Sequence, residues 1–217
     1  MSDDVRLVVF DMEGTLTADP TVWELMHLKT GTWESHGRPY WEQFKAGVFG
    51  YDEFARKDVA MWRGASHELL EQAVDEVPLM TGCAELLAFL GERGVRAAIV
   101  SNGLECLARR LARAFSMACV EANCVALSDG HLTGDIDIRV PFEEKGDAFL
   151  RIAEEMDVPP SQAMAVGDGA ADVQMFRLAG RSVAFRPEND RVANAAGHVV
   201  TEPDLSQLIP LFGQRKT

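Results

Sequence analysis

The chain has 217 residues, enough to bury one good core with room for a small insert, and its hydrophobic share of 47% and charged share of 25% are those of an ordinary soluble globular protein. Its 34 acidic residues against 21 basic give a net charge of −13, which argues against nucleic acid or an anionic membrane as partner, since nothing would offset phosphate repulsion over a broad surface. A small phosphorylated substrate remains compatible, because a local cation and a few basic groups act at short range, where salt screens little.

The start, Met1-Ser2-Asp3-Asp4, is acidic and lacks the basic-then-apolar order of a signal peptide. No apolar run is long enough to cross a bilayer, so a cytoplasmic location is expected. From Arg6 to Phe10 the chain is apolar and β-branched, which predicts a buried strand, and it stops abruptly at Asp11 with a Gly turn following at Gly14. Asp11 therefore sits at a strand's carboxyl end. Ligands of open α/β sheets bind at that edge, and a carboxylate there can bind a hard cation or attack phosphorus; a capped strand end with a solvated Asp is the plain alternative.

From Ala18 to about Pro78 no sheet-like alternation appears. Trp23, Met26 and Leu28 lie near one helical face, Tyr40, Trp41, Phe44 and Val48 make a second stripe, Phe54, Val59, Met61 and Trp62 a third, and Leu69, Leu70, Ala73 and Val77 a fourth. Residues 18–78 thus read as a small helical bundle inserted into the rest, with the aromatic residues as its core rather than a stacking site.

From Leu79 the rhythm is α/β. The pattern predicts a helix over 82–93, a strand over 95–100, a helix over 104–115, and a hairpin whose turn is Ser128-Asp129-Gly130-His131. A helix over 145–156, a strand over 163–166, a helix over 171–179, a strand over 182–185, and a terminal strand and helix follow. Repeated strand–helix alternation implies a Rossmann-like parallel sheet covered on both faces, built from residues 1–17 and 79–217. Cys83, Cys106, Cys119 and Cys124 form no C-x-x-C pair and are expected as plain reduced thiols, and the five histidines are scattered without metal-ligand spacing.

Four stretches carry the chemistry: Asp11-Met12-Glu13-Gly14-Thr15, Ser101 at the end of Ala97-Ala98-Ile99-Val100, Lys145 in Glu143-Glu144-Lys145-Gly146-Asp147, and Gly167-Asp168-Gly169-Ala170-Ala171-Asp172. Asp168 follows an apolar strand and, with Asp11, offers a hard two-carboxylate site suited to Mg²⁺. Asp172, four residues on, is placed to orient Asp168 or Lys145. Ser101 offers a hydroxyl and following N–H groups to phosphate oxygens, a role compatible with an N-cap. Lys145 opens a helix, where a cation is unfavourable without an anionic partner.

In order and position these stretches resemble the motifs of the haloacid dehalogenase superfamily of phosphohydrolases, and among its branches the phosphoserine phosphatases. The resemblance implies Asp11 as nucleophile through an aspartyl-phosphate, Glu13 as general acid/base where the family more often has Asp, and Lys145 neutralising nucleophile and phosphate. It implies Asp11, Asp168 and the Glu13 carbonyl as Mg²⁺ ligands, and Thr15, Ser101, Asn102 and Lys145 at the phosphate. Glu13 is longer than Asp by one methylene, ~1.5 Å, and a misplaced base would favour transfer of the phosphoryl group to another acceptor. For the substrate, Arg56 matches the family's carboxylate-binding Arg, or is a surface charge. Pro20 stands where an amine-binding Glu is usual, with Asp19 beside it. Asn102-Gly103 stands for two glycines, and Ala171 for a common Asn. The expected function is Mg²⁺-dependent hydrolysis of a small, phosphoserine-like or otherwise carboxylated phosphate ester. A phosphotransferase and a catalytically silent metabolite-binding protein are the alternatives; the oligomeric state is left open.

Overall fold

Leu7–Phe10 (β1) forms the centre of the sheet because every one of its side chains is apolar and finds a buried place. In the computed structural model, which describes residues 5–213, its neighbours are Arg96–Leu104 (β2) on one side and Ala163–Gly167 (β5) on the other, both parallel to it. The acidic start, Met1–Asp4, lies outside the described residues. Cys119–Ser128 (β3) and His131–Asp137 (β4) extend the sheet beyond β2, while Arg181–Phe185 (β6) and His198–Val200 (β7) extend it beyond β5. The order is β4-β3-β2-β1-β5-β6-β7, with only the β3–β4 hairpin antiparallel. Its turn at Asp129 and Gly130 has positive φ at both residues, as an Asp-Gly hairpin turn requires.

Alternate β1 residues feed two layers. Val8 and Phe10 pack with Leu86 and Leu90 of Cys83–Glu92 (α5) and with Leu107 and Leu111 of Glu105–Phe115 (α6). Leu7 and Val9 pack with Phe149 and Ile152 of Lys145–Glu155 (α7), Met175 and Phe176 of Val173–Leu178 (α8), and Val192 of Asp190–Ala195 (α9). Burial of both faces explains why the central strands read as continuous apolar runs.

Residues 18–78 leave and rejoin the sheet through paired chain segments: Ala18 N–H donates to the Pro78 carbonyl, Met80 N–H to the Leu16 carbonyl, and Thr17 bridges Leu79. They hold Val22–Thr30 (α1), a π-helical turn at Trp33–Gly37, Arg38–Lys45 (α2), Tyr51–Ala60 (α3) and His67–Glu76 (α4). Met26, Phe54, Val59, Trp62, Leu70 and Ala73 are buried together. The second stripe is core only in part: Tyr40 and Phe44 pack half-buried against that cluster, while Trp41 and Val48 do not. No residue of α2 is buried, Trp41 is 45% and Val48 67% exposed, and Leu28 of the first stripe is also exposed.

Other boundaries differ for local reasons. The 171–179 helix is a 3₁₀ turn at Ala170–Asp172 followed by the short α8, and the terminal helix is a 3₁₀ segment, Leu205–Phe212, whose Pro210 has no N–H to continue an α-helix. The short α9 was not expected from the pattern; its start is capped by Asn189, whose side chain accepts from Arg191 and Val192 N–H. All four cysteines are unpaired, and among the described residues no helix is long and apolar enough to cross a membrane.

Candidate active site

The register brings three strand ends together. Phe10 lies level with Ile99 and with Val166, so Asp11, the Val100-Ser101 stretch of β2 and Asp168, just past β5, lie at one carboxyl edge, where the strand order turns from β2 to β5 around β1. Asp11 N–H continues the ladder to the Val166 carbonyl at 2.8 Å. The chain then coils tightly: the Met12 carbonyl accepts from Thr15, Leu16 and Thr17 N–H. This turn keeps Glu13 close enough for the charge of Asp11 to act on it.

Lys145, the first residue of α7, is 2% exposed despite its charge. Its ammonium lies 2.5 Å from a carboxylate oxygen of Asp11 and 2.5 Å from one of Asp172. These are the anionic partners that its place at a helix start requires. Burial works against the charge, but attraction to the two carboxylates overcomes it and raises the lysine pKa. The other Asp172 oxygen accepts from Asp168 N–H at 3.0 Å and Gly169 N–H at 2.9 Å, so this side chain orients both Lys145 and the loop that carries Asp168.

Ligand oxygens of Asp11, Asp168 and Asp172 lie within 4.8 Å of one another. Burial raises the Asp168 carboxyl well above the usual range, reinforced by the charges of Asp11 and Asp172, and lifts Asp11 to about 6 even with Lys145 beside it. Three carboxylates facing one ammonium are under-neutralised, and all donors are hard oxygens. That composition fits a divalent cation such as Mg²⁺. Thr15, expected at the phosphate, is fully buried and donates its hydroxyl to Asp168 at 2.9 Å. Gly14 has φ +90°, and a Cβ there would meet the Asp168 carboxylate at 2.5 Å, so only glycine permits this approach.

Glu13 is held from the helical insert. Its Oε1 accepts Val22 N–H at 3.3 Å and its Oε2 accepts the Trp23 indole N–H at 3.2 Å. Burial, with the Asp11 charge adding to it, pushes the Glu13 carboxyl up to about 7, against the pull of those two donors. A Cβ at Gly103 would come within 2.6 Å of Glu13 Oε2, so a small residue here leaves room for the longer acid. Asp19 is exposed, yet close enough for its charge to act on Glu13.

Ser101 lies inside β2 and does not cap α6, whose N-cap is Leu104; its hydroxyl instead accepts Gly103 N–H at 3.0 Å. The Asn102 side chain turns away to donate to the Val140 carbonyl at 2.9 Å, while its own carbonyl accepts from the Tyr51 hydroxyl and from Asn123. Arg56 is exposed on α3 and donates to the Ile136 carbonyl of β4 at 3.3 Å. The structure thus brings together Asp11, Glu13, Thr15, Gly103, Lys145, Asp168 and Asp172, while Arg56 is engaged with the hairpin. Pattern reading missed the closeness of Gly14 to Asp168, Trp23, and the Tyr51–Asn123 support of Asn102. A buried Trp usually finds a partner for its N–H, and that tendency is the one signal that could have drawn attention to Trp23.

A family model described as haloacid dehalogenase-like hydrolase matches residues 5–180, most of the chain. The chain belongs to the haloacid dehalogenase-like hydrolases. It is similar to the phosphoserine phosphatase of Methanocaldococcus jannaschii, 28% identical over 186 residues that cover 85% of this chain and 87% of that one. It is also similar to the phosphoserine phosphatase of Archaeoglobus fulgidus, 32% identical over 181 residues; that match covers 83% of this chain but only 52% of the relative, so the chain spans about half its length. Among solved structures, a phospho-aspartyl intermediate analogue of phosphoserine phosphatase superposes with a TM-score of 0.84 at 26% identity, covering 95% of this chain and 98% of that one. Within the haloacid dehalogenase-like hydrolases the chain is a phosphatase of the phosphoserine-phosphatase-like branch.

Proposed function

We propose that the chain is a Mg²⁺-dependent phosphomonoester hydrolase that works through an aspartyl-phosphate on Asp11. The observation that carries this reading is the pairing of Asp11 with Lys145 on one side and the near-neutral acid Glu13 on the other. Asp11 Oδ1 is engaged by Lys145, which keeps the carboxylate ionised for attack. As the new P–O bond forms and the ester P–O bond breaks, Glu13 gives its proton to the departing alkoxide. The same carboxylate then takes a proton from water as that water attacks phosphorus, and the bond to Asp11 breaks, restoring the enzyme and releasing phosphate. A pKa near 7 serves both halves of this cycle. Mg²⁺ held by Asp11, Asp168 and the Glu13 carbonyl would draw charge from the phosphate oxygens. Ser101, Lys145 and the Asn102 N–H serve the phosphate, Asn102 by its backbone since its side chain is bound to Val140 and the next N–H, of Gly103, is held by the Ser101 hydroxyl.

The substrate is a small phosphate ester, phosphoserine-like or otherwise carboxylated. The similarity to phosphoserine phosphatases supports it, and Asp19 at the rim offers a carboxylate for a substrate amine. For a substrate carboxylate, Arg56 has the guanidinium N–H groups that its single bond to the Ile136 carbonyl leaves over. Phosphate release from a panel of metabolite phosphates including phosphoserine, with Mg²⁺, is the test. Turnover that disappears in Asp11→Asn is expected. Turnover only when an alcohol acceptor is added would replace hydrolysis by phosphotransfer, and bound Mg²⁺ and ester without turnover would make the protein a silent binder.

A further inference from the structure

Trp23 is the second residue of α1 and belongs to the helical insert, not to the catalytic motif. It is 8% exposed; its ring lies 5.5 Å from that of Trp62 and 5.7 Å from that of Phe54, between centroids. It therefore moves with the core of the insert. Its indole N–H, however, reaches out of that core to Glu13 Oε2, and the neighbouring Val22 N–H, at the start of α1, reaches Oε1. Each Glu13 oxygen thus has one donor from the same turn of helix.

Both groups are donors only. Neither can accept the proton of the Glu13 carboxyl, so that proton has to use the remaining lone pairs. With Gly103 leaving space on one flank, the acid is fixed in orientation as well as in place.

We propose that Trp23 is a positioning residue for Glu13, and that it makes the placement of the acid/base depend on the insert lying in this position over the sheet. This rests on the phosphatase reading above and extends it to a side chain outside the motifs. A side chain with three rotatable bonds has more ways than Asp to miss the leaving oxygen; the indole removes that freedom when the insert is closed.

The test uses p-nitrophenyl phosphate and Mg²⁺ with the wild-type protein, Asp11→Asn, Trp23→Phe, Glu13→Gln and the Trp23→Phe/Glu13→Gln double variant. Phe keeps an aromatic ring against Trp62 and Phe54 and removes only the N–H. In Trp23→Phe the expected result is a kcat lower by about tenfold, a fraction of what general acid/base catalysis supplies, with KM changed less than about twofold. Hydrolysis of the aspartyl-phosphate becomes limiting, so nitrophenol appears in a burst of about one equivalent per enzyme. In the Glu13→Gln background the Trp23→Phe change has no further effect on kcat. The thermal midpoint of Trp23→Phe is read alongside. A kcat equal to wild type without a burst, or an equal loss with and without Glu13, overturns the positioning role and leaves the phosphatase reading standing. No turnover by the wild-type protein, or turnover kept in Asp11→Asn, overturns that reading and the positioning role with it.

Discussion

At the scale of single residues the site is a set of charges whose burial is tolerated only in combination. Lys145 joins Asp11 to Asp172 with almost no access to water. Removing it in Lys145→Met leaves two buried carboxylates without their cation, which costs ~3–5 kcal/mol; urea unfolding without added metal is expected to show that loss, and a loss under ~1 kcal/mol would contradict it. Two glycines separate strain from crowding. Gly14→Ala places a side chain at φ +90° and against Asp168, and is expected to lower stability by ~1–3 kcal/mol and to weaken Mg²⁺ binding measured by calorimetry. Gly103→Ala meets only the ends of the Glu13 and Met12 side chains. Stability there should change by less than ~1 kcal/mol, while kcat falls because the acid is displaced; an unchanged kcat would show that Glu13 has room elsewhere. Asp11, Lys145, Asp168 and Asp172 were legible in the sequence because a carboxylate ending an apolar strand and a cation opening a helix each need a reason. Gly14 and Gly103 were legible as a turn and as a place near the substrate, but not what they make room for, Asp168 and the end of Glu13, because distance along the chain and side-chain reach hide those approaches. Trp23 was hidden differently: in an apolar stripe at helical spacing, its ring reads as core, which it is, and only its N–H leaves that core.

Elements explain what was read correctly and what was not. The central strands were readable because both faces are buried, and the Asp129-Gly130 turn because its backbone demands those residue types. The second aromatic stripe is core at Tyr40 and Phe44 but not at Trp41 and Val48, since periodicity reports that a helix has an apolar side and not how much of it is covered. Phe44 of α2 and Tyr51 of α3 meet Phe142, in the loop after β4, at 5.9 and 6.0 Å between ring centroids. The Tyr51 hydroxyl reaches the Asn102 carbonyl beside Ser101. These contacts, rather than the half-exposed Lys45–Glu188 pair, hold the insert over the sheet edge. Accordingly, Phe142→Ala should raise KM several-fold with a midpoint lower by a few degrees, whereas Lys45→Ala should change stability by less than ~1 kcal/mol. A larger effect from Lys45→Ala than from Phe142→Ala in urea unfolding would reverse that assignment.

For the molecule as a whole, the acid cluster links stability to pH and metal. In the metal-free fold burial raises Glu13 from 4.5 to about 7 and Asp11 from 3.8 to about 6, with Asp168 shifted the same way. Across roughly pH 4 to 7 the folded state therefore holds more protons than the unfolded one, and stability contributed by these groups is lost as pH rises. The metal-free thermal midpoint should be higher at pH 5 than at pH 8, and Mg²⁺ should raise it more at pH 8, where the carboxylates it binds are charged; a larger Mg²⁺ effect at pH 5 would refute this linkage. In the proposed mechanism all of this serves one chemical event, the transfer of a phosphoryl group to Asp11. The most direct measurement is the intact mass and peptide map of the protein quenched in acid during turnover with Mg²⁺. A phosphoryl group is expected on the peptide containing Asp11, absent in Asp11→Asn and more abundant in Glu13→Gln, where hydrolysis of the intermediate is slowed. Steady phosphate release with no phosphorylated Asp11 in either the wild-type protein or Glu13→Gln would contradict it.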